Sequence, residues 1–341
     1  MKLVFCGTPS FAVPTLEALL AAGHEIALVV SQPDRPVGRS QQLNAPPVKQ
    51  AALVARLPVT QPEKIRNNAE FRSQLEAITP DVIVVVAYGR IIPPWMLALP
   101  RLGCINLHGS LLPRYRGAAP IQWAVANGDA FTGNTTMLLE EGLDTGPILL
   151  QQTVEIKPNE TAMDLFDALA KAGAPLMVET LAGIAAATLR PQPQNHAGAT
   201  FAPLLDREDG RMAFGARTAT ELKNRWRGFQ PWPGAFTALE GKKLIVHKMQ
   251  VVEGPGQEAE IAGKELGKAG QKSGPVGPEP GSAAAKPGFP GQIVVENHRL
   301  LVRCAEDTWL ELLEVQLEGK KRLSAAEFLR GAPLAADARL G

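Results

Sequence analysis

The chain has 341 residues, 45% of them apolar, enough for two domains each with its own core. A formal net charge of +1 excludes a strong global field, so a polyanionic partner would have to be met by local patches. Three scattered cysteines, Cys6, Cys104 and Cys304, lack Cys-x-x-Cys spacing; they exclude a disulfide framework and fit a reducing cytosol.

Met1-Lys2-Leu3-Val4-Phe5 enters a strand directly and lacks the pattern of a signal peptide. No apolar run approaches the roughly 20 residues that span a bilayer. The expected location is cytoplasmic, with no membrane partner and no metal site.

Leu3–Cys6 reads as a buried strand, followed by an amphipathic helix to about Ala22 with Gly23 as its stop. Glu25–Ser31 is the second strand. This βαβ opening predicts a parallel sheet. Its first turn holds a single glycine, Gly7, so the dinucleotide fingerprint is missing and a nicotinamide dehydrogenase is disfavoured. In Gln32–Gln42 two prolines and a glycine argue against regular structure. This stretch is either a solvated loop or an arm that offers Arg35 and Arg39 to phosphates.

Helices are expected over Val48–Arg56 and Ala69–Ile78, with a short strand near Val59 between them. Asp81–Ala87 is a continuous β-branched run, the pattern of a central parallel strand. The Tyr88–Pro93 turn follows at its carboxyl end, where open α/β sheets bind ligands. Cys104–His108, Asn134–Leu139 and Ile148–Val154 are further strands, and Thr161 to about Leu189 is helical. The expected fold is therefore α/β: an N-terminal Rossmann-like, mostly parallel sheet with helices on both faces.

Arg190–Thr200 is a connector by composition, with Pro191, Pro193 and Gly198 among polar residues. Beyond a helix near Ala219–Trp226 the pattern turns to short strands: Phe236–Leu239, Leu244–Met249, Gln292–Val295, Leu300–Cys304 and Leu310–Val315. They predict a small β-barrel. Gly254–Gly291 is rich in glycine and proline and reads as a flexible insertion in it. Ser324–Glu327 is a capping box opening a last helix. The domain expectation is 1–189, a linker 190–206, and 207–341 with the insertion 254–291.

Chemistry concentrates between Cys104 and Leu149. Asn106 and His108 are two apart and share one face of a strand. Asp144 lies in a Glu-Glu-Gly-Leu-Asp-Thr-Gly loop. Singly, His108 could be a satisfied core histidine, Asp144 a turn residue and Asn106 a local backbone partner. Together they offer an amide, an imidazole and a carboxylate with no strong nucleophile. Ser110 is near, but a serine hydrolase needs a base and an oriented triad. The amide and imidazole suit oxyanion stabilisation, and the carboxylate suits orienting the imidazole or accepting protons. This is machinery for acyl transfer to an amine.

Asn106-Leu107-His108-Gly109-Ser110-Leu111-Leu112-Pro113-Arg114-Tyr115-Arg116-Gly117, followed by Gly142-Leu143-Asp144-Thr145-Gly146, resembles the signature of the tetrahydrofolate-dependent formyltransferases. The resemblance implies Asn106, His108 and Asp144 as the catalytic set. It implies 10-formyltetrahydrofolate as donor, held by Ser110, Leu111, Leu112 and Pro113. Arg90, Ile91, Ile92, Glu140, Glu141 and Gly142 would line the pterin pocket.

Phe5–Ala12, Gln32–Arg39, Ala87-Tyr88-Gly89 and Arg227–Ala235 are similar to the branch of that family whose acceptor is methionyl initiator tRNA. That branch implies a monomer with an OB-like C-terminal barrel that helps hold tRNA, and a Pro33–Leu43 loop at the acceptor end. The chain departs from it at three places. Ser40, Gln41 and Gln42 stand where the family often has a lysine pair. Phe201-Ala202-Pro203-Leu204 lacks a usual lysine, and Gly109 replaces alanine. Fewer cations release fewer counterions, so tRNA affinity would fall or shift to other residues. Lys242, Lys243, Lys248, Lys320, Lys321 and Arg322 form either a compensating basic face or ordinary solvated charge. The alternatives are an amino-sugar nucleotide acceptor, a formyltetrahydrofolate hydrolase, and a non-enzymatic folate- or RNA-binding module.

Overall fold

The computed structural model describes residues 1–37, 42–255, 288–331, 334–335 and 337–341. These residues form two compact units. One comprises Met1–Val125 and Asp129–Leu205, the other Ala126–Gly128 and Asp206–Gly341.

In chain order the strands of the first unit are β1 (Lys2–Gly7), β2 (Glu25–Val30), β3 (Arg35–Val37), β4 (Gln42–Asn44), β5 (Val59–Thr60), β6 (Val82–Val86), β7 (Cys104–His108), β8 (Phe131–Leu138) and β9 (Ile148–Glu155). Its helices are α1 (Val13–Ala21), α2 (Pro47–Val54), α3 (Ala69–Ile78), α4 (Pro94–Leu97), α5 (Pro120–Ala126) and α6 (Ala162–Ala185). The central sheet has the order β5-β2-β1-β6-β7-β8-β9. It is parallel from β5 to β7 and antiparallel from β7 to β9.

Side-chain alternation divides the core in two. Leu3, Phe5, Val82, Val84, Val86, Ile105 and Leu107 face α1, α2 and α6. Val4, Cys6, Ile83, Val85 and Cys104 face α3 and α4, meeting Phe71, Leu75 and Met96. Every residue of β6 is buried, as a two-sided cover demands. α6 begins at a capping box in which Asp164 Oδ2 accepts from Thr161 N at 2.9 Å. Gly173 lets α6 approach the sheet closely, since a Cβ there would lie 2.6 Å from Leu107 Cδ2. By length and composition α6 could cross a membrane, contrary to the expectation that no such run exists. Its apolar side instead packs in the core, with Leu165, Leu169, Met177 and Leu181 buried.

Four local expectations change. Gln32–Gln42 is not irregular throughout, because β3 pairs β4 as an antiparallel hairpin in the register Arg35↔Asn44, Pro36↔Leu43 and Val37↔Gln42. Pro36 is tolerated because the pair has outer edges that need no ladder donor. Arg39, Ser40 and Gln41 lie outside the described residues. α4 and α5 were not anticipated; each begins at a proline, whose missing N–H and fixed φ suit a first turn. α6 stops at Ala185 rather than near Leu189, because Ala187 turns to φ +53° and Thr188 N donates back to Gly183 O.

The second unit holds α7 (Ala219–Gly228), β10 (Phe236–Leu239), β11 (Lys242–Val252), β12 (Ile293–Glu296), β13 (Arg299–Arg303), β14 (Trp309–Leu317), β15 (Leu323–Ser324) and a closing helix, Ala325–Gly331. The strands form an antiparallel sheet ordered β10-β11-β14-β13-β12, with β15 on β14. Among the described residues β10 and β12 do not pair, so no closed barrel forms. The tail bridges both edges: Leu340 pairs Leu239 and Arg339 pairs Gln292. Most of the Gly254–Gly291 insertion lies outside the described residues.

Candidate active site

Asn106 and His108 lie on the face of β7 that carries Cys104, where an apolar core gives way to polar groups. They are 8% and 6% exposed. His108 Nε2 sits 2.9 Å from the carbonyl oxygen of Tyr115. A carbonyl only accepts, so Nε2 carries the hydrogen and donates, which leaves Nδ1 facing the site. Asn106 has no hydrogen bond from its amide to another described residue. Its donors and acceptor are open to a ligand.

The carbonyl that orients His108 belongs to a strained turn, with Tyr115 at φ +60°. Ser110 Oγ donates to Arg114 O at 2.7 Å, and Tyr115 N donates to Thr200 Oγ1 at 2.8 Å. Thr135 Oγ1 accepts from Leu112 N at 3.1 Å and donates to Ser110 O at 2.6 Å. Gln151 Nε2 donates to Leu112 O at 2.9 Å. The Ser110–Pro113 segment is thus held from beneath by β8 and β9. Ser110 and Leu112 are buried, so their side chains serve the turn; Leu111 and Pro113 are half-buried.

Asp144 arrives by a loop that crosses the strand. Leu139 N donates to Cys104 O at 2.8 Å, at the start of β7. Asp144 Oδ2 stands 3.7 Å from His108 Nδ1, at the end of β7. At about 3.3 Å per residue the segment must run along the strand, over the face bearing Asn106 and His108. Convergence therefore occurs above the sheet face that Asn106 and His108 share. Asp144 takes φ +51°, which aspartate tolerates better than most residues, and its Oδ2 accepts from Gly117 N at 2.8 Å. The sequence reading left two roles open to Asp144, orienting the imidazole or accepting protons. Here the Tyr115 carbonyl does the first, and the carboxylate faces the free nitrogen without a direct hydrogen bond. Gly146 permits the close return of the loop, since a Cβ would stand 1.9 Å from Leu138 O.

A third segment fastens the first two. Composition marked Arg190–Thr200 as a connector and the domain expectation set a linker at 190–206, yet residues up to Leu205 belong to the first unit. Gln192 exchanges backbone hydrogen bonds with Ile148, and Arg116 pairs its backbone with Thr200 and Ala202. Gln194, 6% exposed, donates from Nε2 to Asp144 O at 2.8 Å and to Gly146 O at 2.7 Å. Its Oε1 accepts from Arg116 Nε at 3.2 Å and Nη2 at 2.6 Å. Sequence reasoning missed Thr135, Gln151 and Gln194. Register gives a signal only for Thr135, which pairs His108 across β7 and β8.

The turn after β6 is also fixed. Thr8 Oγ1 and Gln32 Nε2 both donate to Tyr88 O, at 3.1 and 3.2 Å. Arg90 Nε donates to Gln32 Oε1 at 3.0 Å, and its Nη1 donates to Glu63 O. Ile91 stands 91% exposed while Ile92 is buried. Glu140, Glu141 and Gly142 are exposed. Burial pushes the Cys104 thiol up to about 12 and raises Cys6 and the Tyr88 phenol well above their ordinary values. These groups stay protonated and supply no nucleophile.

In the second unit, strand pairing gathers several of the basic residues. β11 opens with Lys242 and Lys243, and Leu244 pairs Leu317 at the end of β14. Lys320 and Lys321 follow in the next turn, at the same end of the sheet. The register shifts around Lys248, so it leaves the inward alternation of Leu244, Val246 and Met249 and is exposed. Lys243 Nζ lies 4.0 Å from the Phe236 ring centroid. Arg322 is paired with Glu314. Arg35 is exposed on β3.

The amide, the imidazole with a free Nδ1 and the facing carboxylate stand together, with no activated nucleophile beside them among the described residues. Residues 1–181 match the family model described as formyl transferase, and residues 204–333 match that of the formyl transferase C-terminal domain. The chain is 60% identical over 341 residues to the methionyl-tRNA formyltransferase of Acidobacterium capsulatum, covering all of both chains. It is 51% identical over 331 residues to that of Koribacter versatilis, covering 97% and 96%. The chain belongs to the formyl transferase family and, within it, to the methionyl-tRNA formyltransferases.

Solved structures share the fold at low identity. An N-formyltransferase from Helicobacter canadensis, in complex with folinic acid and dTDP-3-aminofucose, gives a TM-score of 0.61 at 17% identity, covering 92% of this chain and 98% of that one. HypX from Aquifex aeolicus, in complex with tetrahydrofolic acid, gives 0.56 at 15% identity, covering 96% and 47%.

Proposed function

We propose that the chain transfers the formyl group of 10-formyltetrahydrofolate to the α-amine of methionyl initiator tRNA, with Asn106, His108 and Asp144 as its catalytic residues. The observation that carries this reading is the open Asn106 amide beside an imidazole whose Nδ1 faces the Asp144 carboxylate at 3.7 Å. Full-length identity to relatives named for this reaction supports the acceptor.

The neutral amine attacks the formyl carbon and the carbonyl electron pair moves onto oxygen. Asn106 Nδ2 donates to that oxyanion, joined by His108 Nδ1–H when the ring is protonated. The tetrahedral carbon collapses and its bond to N10 of the folate breaks. The amine gives up one proton and N10 gains one. The gap between His108 Nδ1 and Asp144 is where a proton can be held between those events.

The turn around Arg90, Ile91 and Ile92, the segment Ser110–Pro113 and the loop Glu140–Gly142 would receive the folate. Exposed Ile91 and Leu143 offer apolar contact there. The second unit would act as an OB-like tRNA-binding domain through Lys242, Lys243, Lys248, Lys320 and Lys321, with Arg35 and Arg39 contributing from the first. The protein would act as a monomer in the cytoplasm.

Formyl transfer to charged initiator tRNA and to an amino-sugar nucleotide, assayed side by side, tests the acceptor. Transfer to the tRNA alone is expected. D144N and H108A should each lower kcat by at least about 10²-fold with the fold intact. Preference for the sugar would overturn the acceptor, and near-parental turnover in either variant would overturn the catalytic assignment.

A further inference from the structure

Gln194 lies in the proline-flanked stretch Pro191-Gln192-Pro193-Gln194, which belongs to neither sequence motif of the reaction. Yet its side chain is buried and uses its whole hydrogen-bonding capacity. Two N–H groups donate to Asp144 O and Gly146 O, and the oxygen accepts two N–H groups of Arg116. A primary amide has two donors and one carbonyl acceptor, so all are satisfied.

The bonds are directional in their consequence. Both donors hold the backbone on either side of Thr145, in the short loop that carries the Asp144 carboxylate. The acceptor end is anchored to Arg116, 4% exposed, with no carboxylate hydrogen-bonded to its guanidinium among the described residues. Arg116 Nη2 also lies 3.1 Å from His196 Nδ1. The backbone of Arg116 is tied on both sides, to Thr200 O at 2.8 Å and by Ala202 N at 2.7 Å. Its neighbours in sequence are Tyr115, whose carbonyl orients His108, and Gly117, whose N–H holds Asp144 Oδ2. Gln194 thus joins the loop bearing the carboxylate to the turn that orients the imidazole.

We infer that Gln194 is a positioning residue for formyl transfer: held by Arg116, it fixes the Asp144–Gly146 backbone so that the carboxylate stays registered against His108 Nδ1. This rests on the assignment of Asp144 to the reacting centre. Small displacements of a reacting group cost turnover steeply, with about 1 Å worth up to roughly 10²-fold. Substrate-binding surfaces need not change, so the effect belongs in kcat.

The alternative is that Gln194 merely satisfies a buried cation. Q194E separates the two. A glutamate keeps the acceptor for Arg116 with a stronger, charge-assisted bond, but removes both donors and faces two carbonyl oxygens with a carboxylate. Q194M removes donors and acceptor together. Thermal denaturation, kcat and KM for both substrates are measured on the full chain, with D144N as reference. The expected result for Q194E is a folded protein with a lowered melting temperature, a kcat lowered at least tenfold, and KM values within about threefold of parent. Parental kcat in Q194E beside a folded but slow Q194M would overturn the inference and leave Gln194 as a partner of Arg116 only. Parental kcat in D144N would instead overturn the reading on which the inference rests. If Q194E fails to fold, Q194N, which shortens the side chain but retains its chemistry, takes its place. An unchanged kcat in Q194N then overturns the inference.

Discussion

Two asparagines one strand apart divide labour by their partners. Asn134 on β8 is fully buried, and its Nδ2 donates to Leu169 O at 2.8 Å. Asn106 on β7 has no such partner among the described residues. N134A is therefore expected to lower unfolding free energy by about 1–3 kcal/mol, because a buried carbonyl loses its donor. Its kcat should stay near parental. N106A is expected to leave stability within about 0.5 kcal/mol and to lower kcat by roughly 10²–10³-fold, the usual loss for one oxyanion donor. Chemical denaturation and steady-state assays on both variants check this. Two variants that move together would show that Asn106 is not the open donor described.

At the level of elements, strand register decides which charges can act together. The pairing of β11 with β14 sets Lys242 and Lys243 beside the turn that carries Lys320 and Lys321, while Arg322 is engaged by Glu314. Each lysine that meets a phosphate should contribute close to 1 to the salt slope of tRNA binding. The double variant Lys320→Ala/Lys321→Ala is expected to weaken binding and flatten the slope of log K against log salt by about 2. R322A should leave the slope near parental. A slope unchanged in the double variant would remove this turn from the nucleic-acid interface.

Across the whole molecule several carboxyls are held below their ordinary range by hydrogen bonds made on folding. In the first unit the Lys49 ammonium lowers Asp34, the Lys2 backbone N–H lowers Asp81 and the Thr161 hydroxyl lowers Asp164. In the second, backbone N–H groups of Thr218 and Ser324 lower Glu221 and Glu327. A carboxyl depressed in the folded state stabilises it above the unfolded value, near 4, and loses that contribution as pH falls through the folded value. The melting temperature is expected to be flat from about pH 7 to pH 5 and to fall steadily from about pH 4.5 to pH 3. Since both units hold such groups, added salt should not abolish the decline. A melting temperature constant to pH 3 would contradict these assignments.

The sequence by itself determined the parallel βαβ opening, the all-buried strand β6, the run of short strands in the second unit, and the roles open to Asn106, His108 and Asp144. Those features are local: β-branched runs, alternation, capping boxes and a polar pair two residues apart on a strand. Tertiary structure alone decided the rest. That Asp144 lies over the β7 face follows from where Leu139 leaves the sheet and from the close pass of Gly146 by Leu138. That Tyr115 orients His108, leaving Nδ1 free, depends on a backbone carbonyl, which no side-chain motif records. Gln194 sits in a stretch that composition reads as a connector. Its function comes from hydrogen bonds to residues about fifty and eighty positions earlier, and separations of that length have no periodicity to betray them.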